Sequence, residues 1–141
     1  MQRARLACMD PLALARDGIL DPFEVALEAA VAGLPAPYAE QLASVAIVVQ
    51  QEADRDQLAS VGVRGLFGLY QGVPRTAYGA DQAPVPSRIT LFRGPLMRHH
   101  PTPGGLRDAV EETLIHELGH HLGISDARIE ELQRERRAQG R

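Results

Sequence analysis

Five consecutive residues near the C-terminal end of the chain have the types and the spacing of a metal site. They are His116-Glu117-Leu118-Gly119-His120, an H-E-x-x-H pattern. On a helix, side chains four residues apart lie one turn above the other, so both imidazoles can reach a single ion. Glu117 leaves the helix beside the first histidine, where it can act on water at the metal without binding the ion. The pattern predicts two metal ligands and a general base.

The residues after this pattern supply a third ligand. Gly123 comes three positions after His120 and can adopt the positive φ that ends a helix and turns the chain back. Asp126, three positions further on, can then return a carboxylate oxygen to the ion. Two histidines and one carboxylate leave a fourth position for water, which is typical of catalytic zinc sites. The predicted cofactor is Zn²⁺, with His116, His120 and Asp126 as ligands and Glu117 as the general base.

Other histidines near the pattern have different interpretations. His121 lies about 100° around the helix from His120, towards the apolar side, and is predicted to pack or to support a ligand. His99 and His100 fall in a predicted loop. Either of them is an alternative to Asp126 as third ligand, or a residue that lines the cleft.

Several further polar residues are candidates for minor roles. Glu130 and Glu131 lie too close to the turn to be preferred as ligands over Asp126. Thr113 is one turn before His116 on the metal-facing side, where it either touches substrate or is simply a helical residue. The candidates for stabilising an oxyanion are Tyr70, Arg75 and Tyr78, although a structural role is favoured for each of them.

Sequence patterns predict one long helix, one short helix and three strands before the metal site. Asp21 followed by Pro22 and Glu24 has the cap, the early proline and the acidic residue of a helix start. Gly33 follows the end of this helix, and a short second helix is predicted over residues 38–43. The predicted strands are a buried β-branched run at 45–49, an apolar run at 65–72 and the run 88–93, separated by predicted loops at 50–60, 74–86 and 97–105.

The longest predicted helix covers residues 106–122 and carries the H-E-x-x-H pattern on the face opposite its apolar residues. Ser125 and Asp126 can begin a last helix that carries Ile129 and Leu132, and the polar tail beyond Leu132 is predicted to fray. The predicted fold class is α+β, with a small mixed sheet packed on the site helix between flanking helices. The pattern leaves the strand directions open.

Composition limits the classes of function. The 141 residues suit one domain, predicted at 21–141 after a loose N-terminal extension at 1–20. Cys8 is the sole cysteine, so an internal disulfide is excluded. A net charge of −3 argues against a nucleic-acid partner, and no apolar run approaches the length of a membrane span. We expect a cytoplasmic monomer.

The stretch HELGHHLGISD at 116–126 resembles the H-E-x-x-H-x-x-G-x-x-D signature of zincin-like metallopeptidases. Together with GLFGLYQGVPRT and PSRITLFRGPL, it is similar to a family of small bacterial proteins described as minimal zincin-like or possible zinc metallopeptidases. The resemblance implies a single-domain minimal zincin-like fold. It also implies zinc ligands at His116, His120 and Asp126 and a catalytic Glu117, with a small sheet behind the active-site helix.

The sequence also departs from the larger metzincins. These have a methionine-containing turn beneath the metal, whereas no methionine follows Met97 here, and fifteen residues follow Asp126. We therefore expect a shallow or open cleft. The leading hypothesis is a zinc-dependent hydrolase of peptide or amide bonds, with a peptide or small protein as its substrate. The alternatives are a non-catalytic or latent domain stabilised by zinc and, ranked last, a metal-dependent ribonuclease, a class in which a third histidine would replace Asp126.

Overall fold

The computed structural model describes residues 18, 20–61, 67–72 and 87–139. The helices of this part are α1 (Pro22–Ala32), α2 (Ala36–Ala39), α3 (Arg55–Val61), α4 (Arg93–His99), α5 (Pro103–His121) and α6 (Asp126–Ala138). Its strands are β1 (Val45–Gln50), β2 (Gly68–Gln71) and β3 (Ser87–Phe92), and a 3₁₀ turn at Glu40–Ser44 precedes β1. No helix among these elements is both long and apolar enough to cross a membrane.

Some predictions concern residues outside the described part of the chain. They are most of the predicted extension at 1–20 with Cys8, and the predicted loop at 74–86 with Arg75 and Tyr78. The domain boundary at residue 21, the cytoplasmic location and the monomeric state stay predictions.

The three strands form a mixed sheet in the order β1–β3–β2. β1 runs parallel to β3, from Val45 opposite Ser87 to Gln50 opposite Phe92. β2 runs antiparallel to β3, and both strands pack on α5. The predicted α+β class, with a small mixed sheet on the site helix, is confirmed. The structure adds the strand directions, which the sequence pattern had left open.

α1 begins as its sequence predicts. The Asp21 carboxylate accepts a hydrogen bond of 3.0 Å from the Phe23 amide and so caps the helix, with Pro22 at the first helical position. Phe23, Ala26 and Ala30 are buried and lie on the face of α1 that contacts α5. The helix ends before Gly33, also as predicted.

α5 is the central element of the core and contacts α1, α4, α6 and the sheet. Thr102 caps it by accepting a hydrogen bond of 3.1 Å from the Gly105 amide, and Pro103 is the first helical residue. The helix therefore starts three residues before the predicted position. Its apolar face is buried as predicted, through residues that include Val110, Leu114 and Leu118.

The prediction of a buried strand at 45–49 was correct for the strand but wrong for the burial of its last two residues. β1 forms there, but Val48 and Val49 are 38% and 43% exposed. Among the described residues β1 pairs only with β3, so it lies at an edge of the sheet. β-branched residues favour strand geometry whether or not both faces are covered, and the run therefore indicated the strand and not its burial.

The predicted loop at 50–60 was wrong, because it contains α3. The Gln57 amide donates to Asp54 Oδ1 at 2.8 Å, and the Asp54 amide donates to Gln57 Oε1 at 2.8 Å. This is a reciprocal capping box, which satisfies two amides at the start of a helix. An aspartate followed three positions later by glutamine is a helix-start signal, and apolar periodicity alone misses it.

The predicted loop at 97–105 was also partly wrong. β3 ends at Phe92 as expected, but α4 follows at once and includes Gly94, Pro95 and Met97. Proline is tolerated in the first turn of a helix because its missing amide hydrogen has no intrahelical partner there. Gly94 and Pro95 therefore end the strand without preventing a helix.

The predicted fraying after Leu132 was wrong as well. α6 continues to Ala138 and its last turns make polar contacts with α5. Gln133 donates to the Glu112 carbonyl at 3.0 Å, and Arg136 and Arg137 form ion pairs with glutamates of α5. An apolar pattern carries no information about such contacts.

Replacing Asp21 with alanine is expected to lower the free energy of unfolding by about 1–2 kcal/mol, the usual range for losing a helix cap. Asp21 also pairs with Arg93 at 3.0 Å, but both side chains are about one-third exposed, and the pair adds less. Asp21→Asn keeps the cap and should cost under about 1 kcal/mol. Chemical denaturation measures both changes. Equal losses in the two variants would mean that the ion pair, not the cap, matters.

Candidate metal centre

The two histidines of the H-E-x-x-H pattern lie on adjacent turns at the end of α5. Their ring centroids are 4.7 Å apart and their planes meet at 74°. His116 Nε2 lies 3.6 Å from Asp126 Oδ1, and His120 Nε2 lies 2.5 Å from the same oxygen. The structure thus brings together the three residues that the sequence predicted as ligands.

The chain reversal between His120 and Asp126 depends on a Schellman motif. Gly123 has a φ of 76°, its amide donates to the His120 carbonyl at 3.0 Å, and the Ile124 amide donates to the Gly119 carbonyl at 2.9 Å. Ser125 then caps α6, and Asp126 is its first residue. This turn is why a residue six positions after His120 returns to its imidazole.

The spacing of these three side chains fits a divalent metal. Their ligand atoms all lie within 4.8 Å of one another. In a tetrahedral zinc site with bonds of about 2.0–2.2 Å, two ligand atoms lie about 3.4 Å apart. The 3.6 Å between His116 and Asp126 matches that value. His120 and Asp126 stand at hydrogen-bond distance, so binding an ion requires them to separate by about 1 Å.

Glu117 lies on the other side of the His120 ring. The carboxylate is buried, and its Oε2 accepts from His120 Nδ1 at 3.2 Å, whereas the Nε2 atom faces Asp126. These contacts raise the pKa of His120 to about 9, first through the hydrogen bond to Glu117 and then through that to Asp126. Glu117 is therefore beside the three clustered residues and not among them.

A cleft of about 710 Å³ opens over these residues. β2 forms one wall and the exposed face of α5 forms the floor, while α6 contributes Asp126, Glu130 and Gln133. The remaining lining residues are Ser60, Phe67, Gly68, Leu69, Tyr70, Gln71, His100, Ala109, Glu112, Thr113, His116, Glu117 and His120.

Gly68 sets how closely β2 approaches the site. A Cβ at this position would lie 2.6 Å from Thr113 Cγ2 and 3.5 Å from Glu117 Cγ. The first distance is shorter than van der Waals contact, so β2 can lie this close to α5 only with a glycine here. Thr113 lines the cleft, as predicted for the metal-facing side, and its hydroxyl donates to the Ala109 carbonyl at 2.7 Å.

A family described as zincin-like metallopeptidase matches residues 42–136, about two-thirds of the chain. The chain belongs to this family. The matched segment contains all three strands, α5 with the H-E-x-x-H pattern, and most of α6. Family membership implies zinc binding and peptide hydrolysis at the level of the family. No curated protein matches the sequence.

A polar network behind the site of this zincin-like protein was not predicted. His121 is buried, and its Nδ1 and Nε2 lie 2.9 Å from the Tyr70 hydroxyl and 3.0 Å from Ser44 Oγ. Tyr70 also contacts Ser87 Oγ at 3.0 Å. The Tyr70 hydroxyl thus makes hydrogen bonds with Ser87 and His121, and these contacts do not support its candidate role in stabilising an oxyanion. The partners of His121 are 51 and 77 positions away, so no local pattern could have revealed them.

The alternative ligands do not join the cluster. His99 and His100 make edge-to-face contacts with Phe67, at centroid distances of 5.6 and 5.3 Å. His100 lines the cleft, which was the alternative to its role as a ligand. Its Nδ1 lies 2.9 Å from the Leu96 carbonyl. Glu130 lines the cleft, and Glu131 pairs with Arg128 at 2.9 Å.

We expect zinc to bind this zincin-like protein more tightly as the pH rises to about 9. The metal-free His120 has a pKa of about 9, and its protonated Nε2 cannot coordinate, so an ion must displace that proton. The apparent affinity should increase about tenfold per pH unit below the pKa and level off above it. Chelator competition between pH 6.5 and 9.5 measures this.

Glu117→Gln provides the matched control for the pH profile. It removes the largest cause of the raised pKa, so the affinity should level off at a lower pH than in the wild type. A wild-type profile already flat above pH 7.5 would contradict the prediction, because it would indicate a histidine with an ordinary pKa of about 6.5.

Proposed function

We propose that the protein is a zinc-dependent hydrolase of peptide bonds, with His116, His120 and Asp126 as ligands and Glu117 as the general base. The donor set supports this proposal, because two imidazoles and one carboxylate match catalytic zinc sites with an open fourth position. The family match supports it independently, since it is a match to metallopeptidases.

Glu117 has the surroundings that a general base needs. When bound, zinc polarises the scissile carbonyl and lowers the pKa of water at the site. One oxygen of Glu117 is oriented by His120 Nδ1 at 3.2 Å, which leaves the second oxygen to accept a proton and pass it to the leaving amine. The Glu117 side chain is 10% exposed and lines the cleft, so that it can reach water at the predicted metal position.

The position of β2 is the observation that favours a peptide over a small amide. All four residues of β2 line the cleft, although successive residues of a strand point to opposite faces. The cleft therefore runs along the edge of the strand. Among the described residues this edge pairs with no other strand. The amides and carbonyls along this edge can bind an extended peptide by strand addition and hold it across the predicted metal site.

The alternative functions have less support. A metal whose role is to hold the last helix would be largely redundant, because α6 already makes direct contacts with α5 through Ile129, Gln133 and Arg136. For a ribonuclease, basic residues should surround the metal. The described residues that line the cleft include four carboxylates and no arginine. We propose that the partner is a peptide or small protein and not a nucleic acid.

Alanine at each predicted ligand tests the metal site. His116→Ala, His120→Ala and Asp126→Ala should each lower zinc affinity by more than the roughly 10–100-fold that loss of a supporting hydrogen bond costs. Zinc content after dialysis and chelator competition provide the measurement. Glu131→Ala is the matched control, an exposed acidic residue of α6 outside the cleft lining, and should bind zinc as the wild type does. If Asp126→Ala keeps full zinc occupancy while His100→Ala loses zinc, the third ligand is His100 and not Asp126.

Glu117→Gln distinguishes a catalytic metal site from one with a purely structural role. It preserves the shape and a hydrogen bond of the side chain but removes the base, so zinc content should be nearly unchanged at pH 9. Cleavage of a broad peptide mixture should fall by about 10²–10⁴, the usual contribution of a positioned general base. Activity that survives this change would reject the mechanism. A zinc-loaded wild type that cleaves no peptide would favour the non-catalytic alternative.

A further inference from the structure

α6 carries Asp126 at its first position, yet it has little apolar contact with the rest of the protein. Of its thirteen residues, all within the described part of the chain, only Ile129 is buried. A helix with so small an apolar face is not positioned by hydrophobic burial alone. The turn at Gly123 directs Asp126 back towards the two histidines, and the contacts between α6 and α5 then bear on how close it comes to them.

The first of these contacts lies close to the metal-binding residues. Ile129 packs against Gly119, where a Cβ would lie 2.6 Å from Ile129 Cδ1 and 2.7 Å from Cγ1. The isoleucine thus fills the space that the missing side chain leaves on α5. Gly119 directly precedes His120, and Ile129 is less than one helical turn after Asp126. This contact therefore lies between the chain segments that carry His120 and Asp126.

The second contact is near the far end of α6. Arg136 Nη2 lies 2.5 Å from Glu111 Oε1, and the Glu111 side chain is 7% exposed. A carboxylate removed from water in this way needs its cationic partner, because an unpaired buried charge is strongly unfavourable. The neighbouring pair between Arg137 and Glu112 is about half exposed, and solvent screens it. The two adjacent arginines thus make ion pairs that differ greatly in their exposure to solvent.

We infer that Glu111, Gly119, Ile129 and Arg136 form a clamp that positions Asp126 as a metal ligand. This inference rests on the proposed metal site. The clamp residues touch neither the predicted metal position nor the catalytic carboxylate, so they are positioning residues. Two contacts about 10 Å apart along α6 fix both the rotation and the tilt of the helix, which one contact could not do.

The adjacent arginines provide a matched test by zinc affinity. Arg136→Gln breaks the buried pair and should weaken zinc binding by about tenfold or more, the cost of losing support for a ligand. Arg137→Gln makes the same chemical change one position along and should alter the affinity less than about twofold. Arg136→Lys keeps the positive charge and should recover most of the loss. Chelator competition at pH 9 measures all three.

The visible spectrum of the Co²⁺-loaded protein distinguishes positioning from general destabilisation. Cobalt spectra report the ligand set and its geometry, which a merely structural loss of stability leaves unchanged. With excess Co²⁺, the spectrum of Arg136→Gln should move towards that of Asp126→Ala. A spectrum identical to that of the wild type would mean that Asp126 stays in place without the ion pair, and it would overturn the inference.

The other end of the clamp provides a second variant that does not depend on the ion pair. Gly119→Ala should displace Ile129 and weaken zinc binding, although alanine favours the helix. Gly119→Ala with Ile129→Ala should bind zinc better than Gly119→Ala alone. The Cβ of residue 129 lies 3.9 Å from the added methyl, which is ordinary contact. These variants decide the question if Arg136→Gln does not fold.

Failure of the inference and failure of the proposed function give different results. A wild type that binds zinc while Arg136→Gln and Gly119→Ala bind it equally well overturns the clamp and leaves the metal site standing. Equal losses in Arg136→Gln and Arg137→Gln also overturn the clamp. A wild type that binds no zinc overturns the proposed function, and the clamp with it.

Discussion

The buried face of α5 is the constraint on which the rest of the structure depends. Val110, Leu114 and Leu118 are fully buried against α1 and the sheet, and each contributes about 1.5–3 kcal/mol of hydrophobic stabilisation. Rotation of α5 by one residue would expose this face, so its orientation about its own axis is fixed. His116 and His120 lie opposite and must therefore face the cleft. The core of the protein and the direction of its two histidines are set by the same burial.

Three buried polar side chains at the margin of that face make specific contacts, two with other elements and one within α5. Glu111, Glu117 and His121 are all buried, and they contact α6, His120 and the sheet respectively. Among the described residues no buried polar side-chain atom lacks a hydrogen-bond partner. Because an unsatisfied buried group costs about 1–3 kcal/mol, each contact also restricts the element that supplies its partner. α5, β2 and α6 are thereby held relative to one another.

The two edges of the sheet have different surroundings. β2 approaches α5 closely through Gly68 and lines the cleft, whereas β1 lies at the other edge with Val48 and Val49 exposed. The edge strand beside the site is thus β2, which runs antiparallel to β3. It lies alongside Glu117 because residue 68 has no side chain. A substrate strand added to β2 would meet the carboxylate and the predicted metal position together.

The sequence by itself determined the features that depend on local spacing. These are the histidine pair one turn apart, the helix end at Gly123, the return of Asp126 and the capped start of α1, because backbone geometry within a few residues decides each of them. Apolar periodicity could not reveal α3, which begins at a capping box, or the end of α6, which makes polar contacts with α5. It also missed α4, where Gly94 and Pro95 suggested only the end of a strand. Only the tertiary structure decided the strand order, the partners of His121 and the ion pair of Glu111 with Arg136, because those residues lie 25 to 77 positions apart.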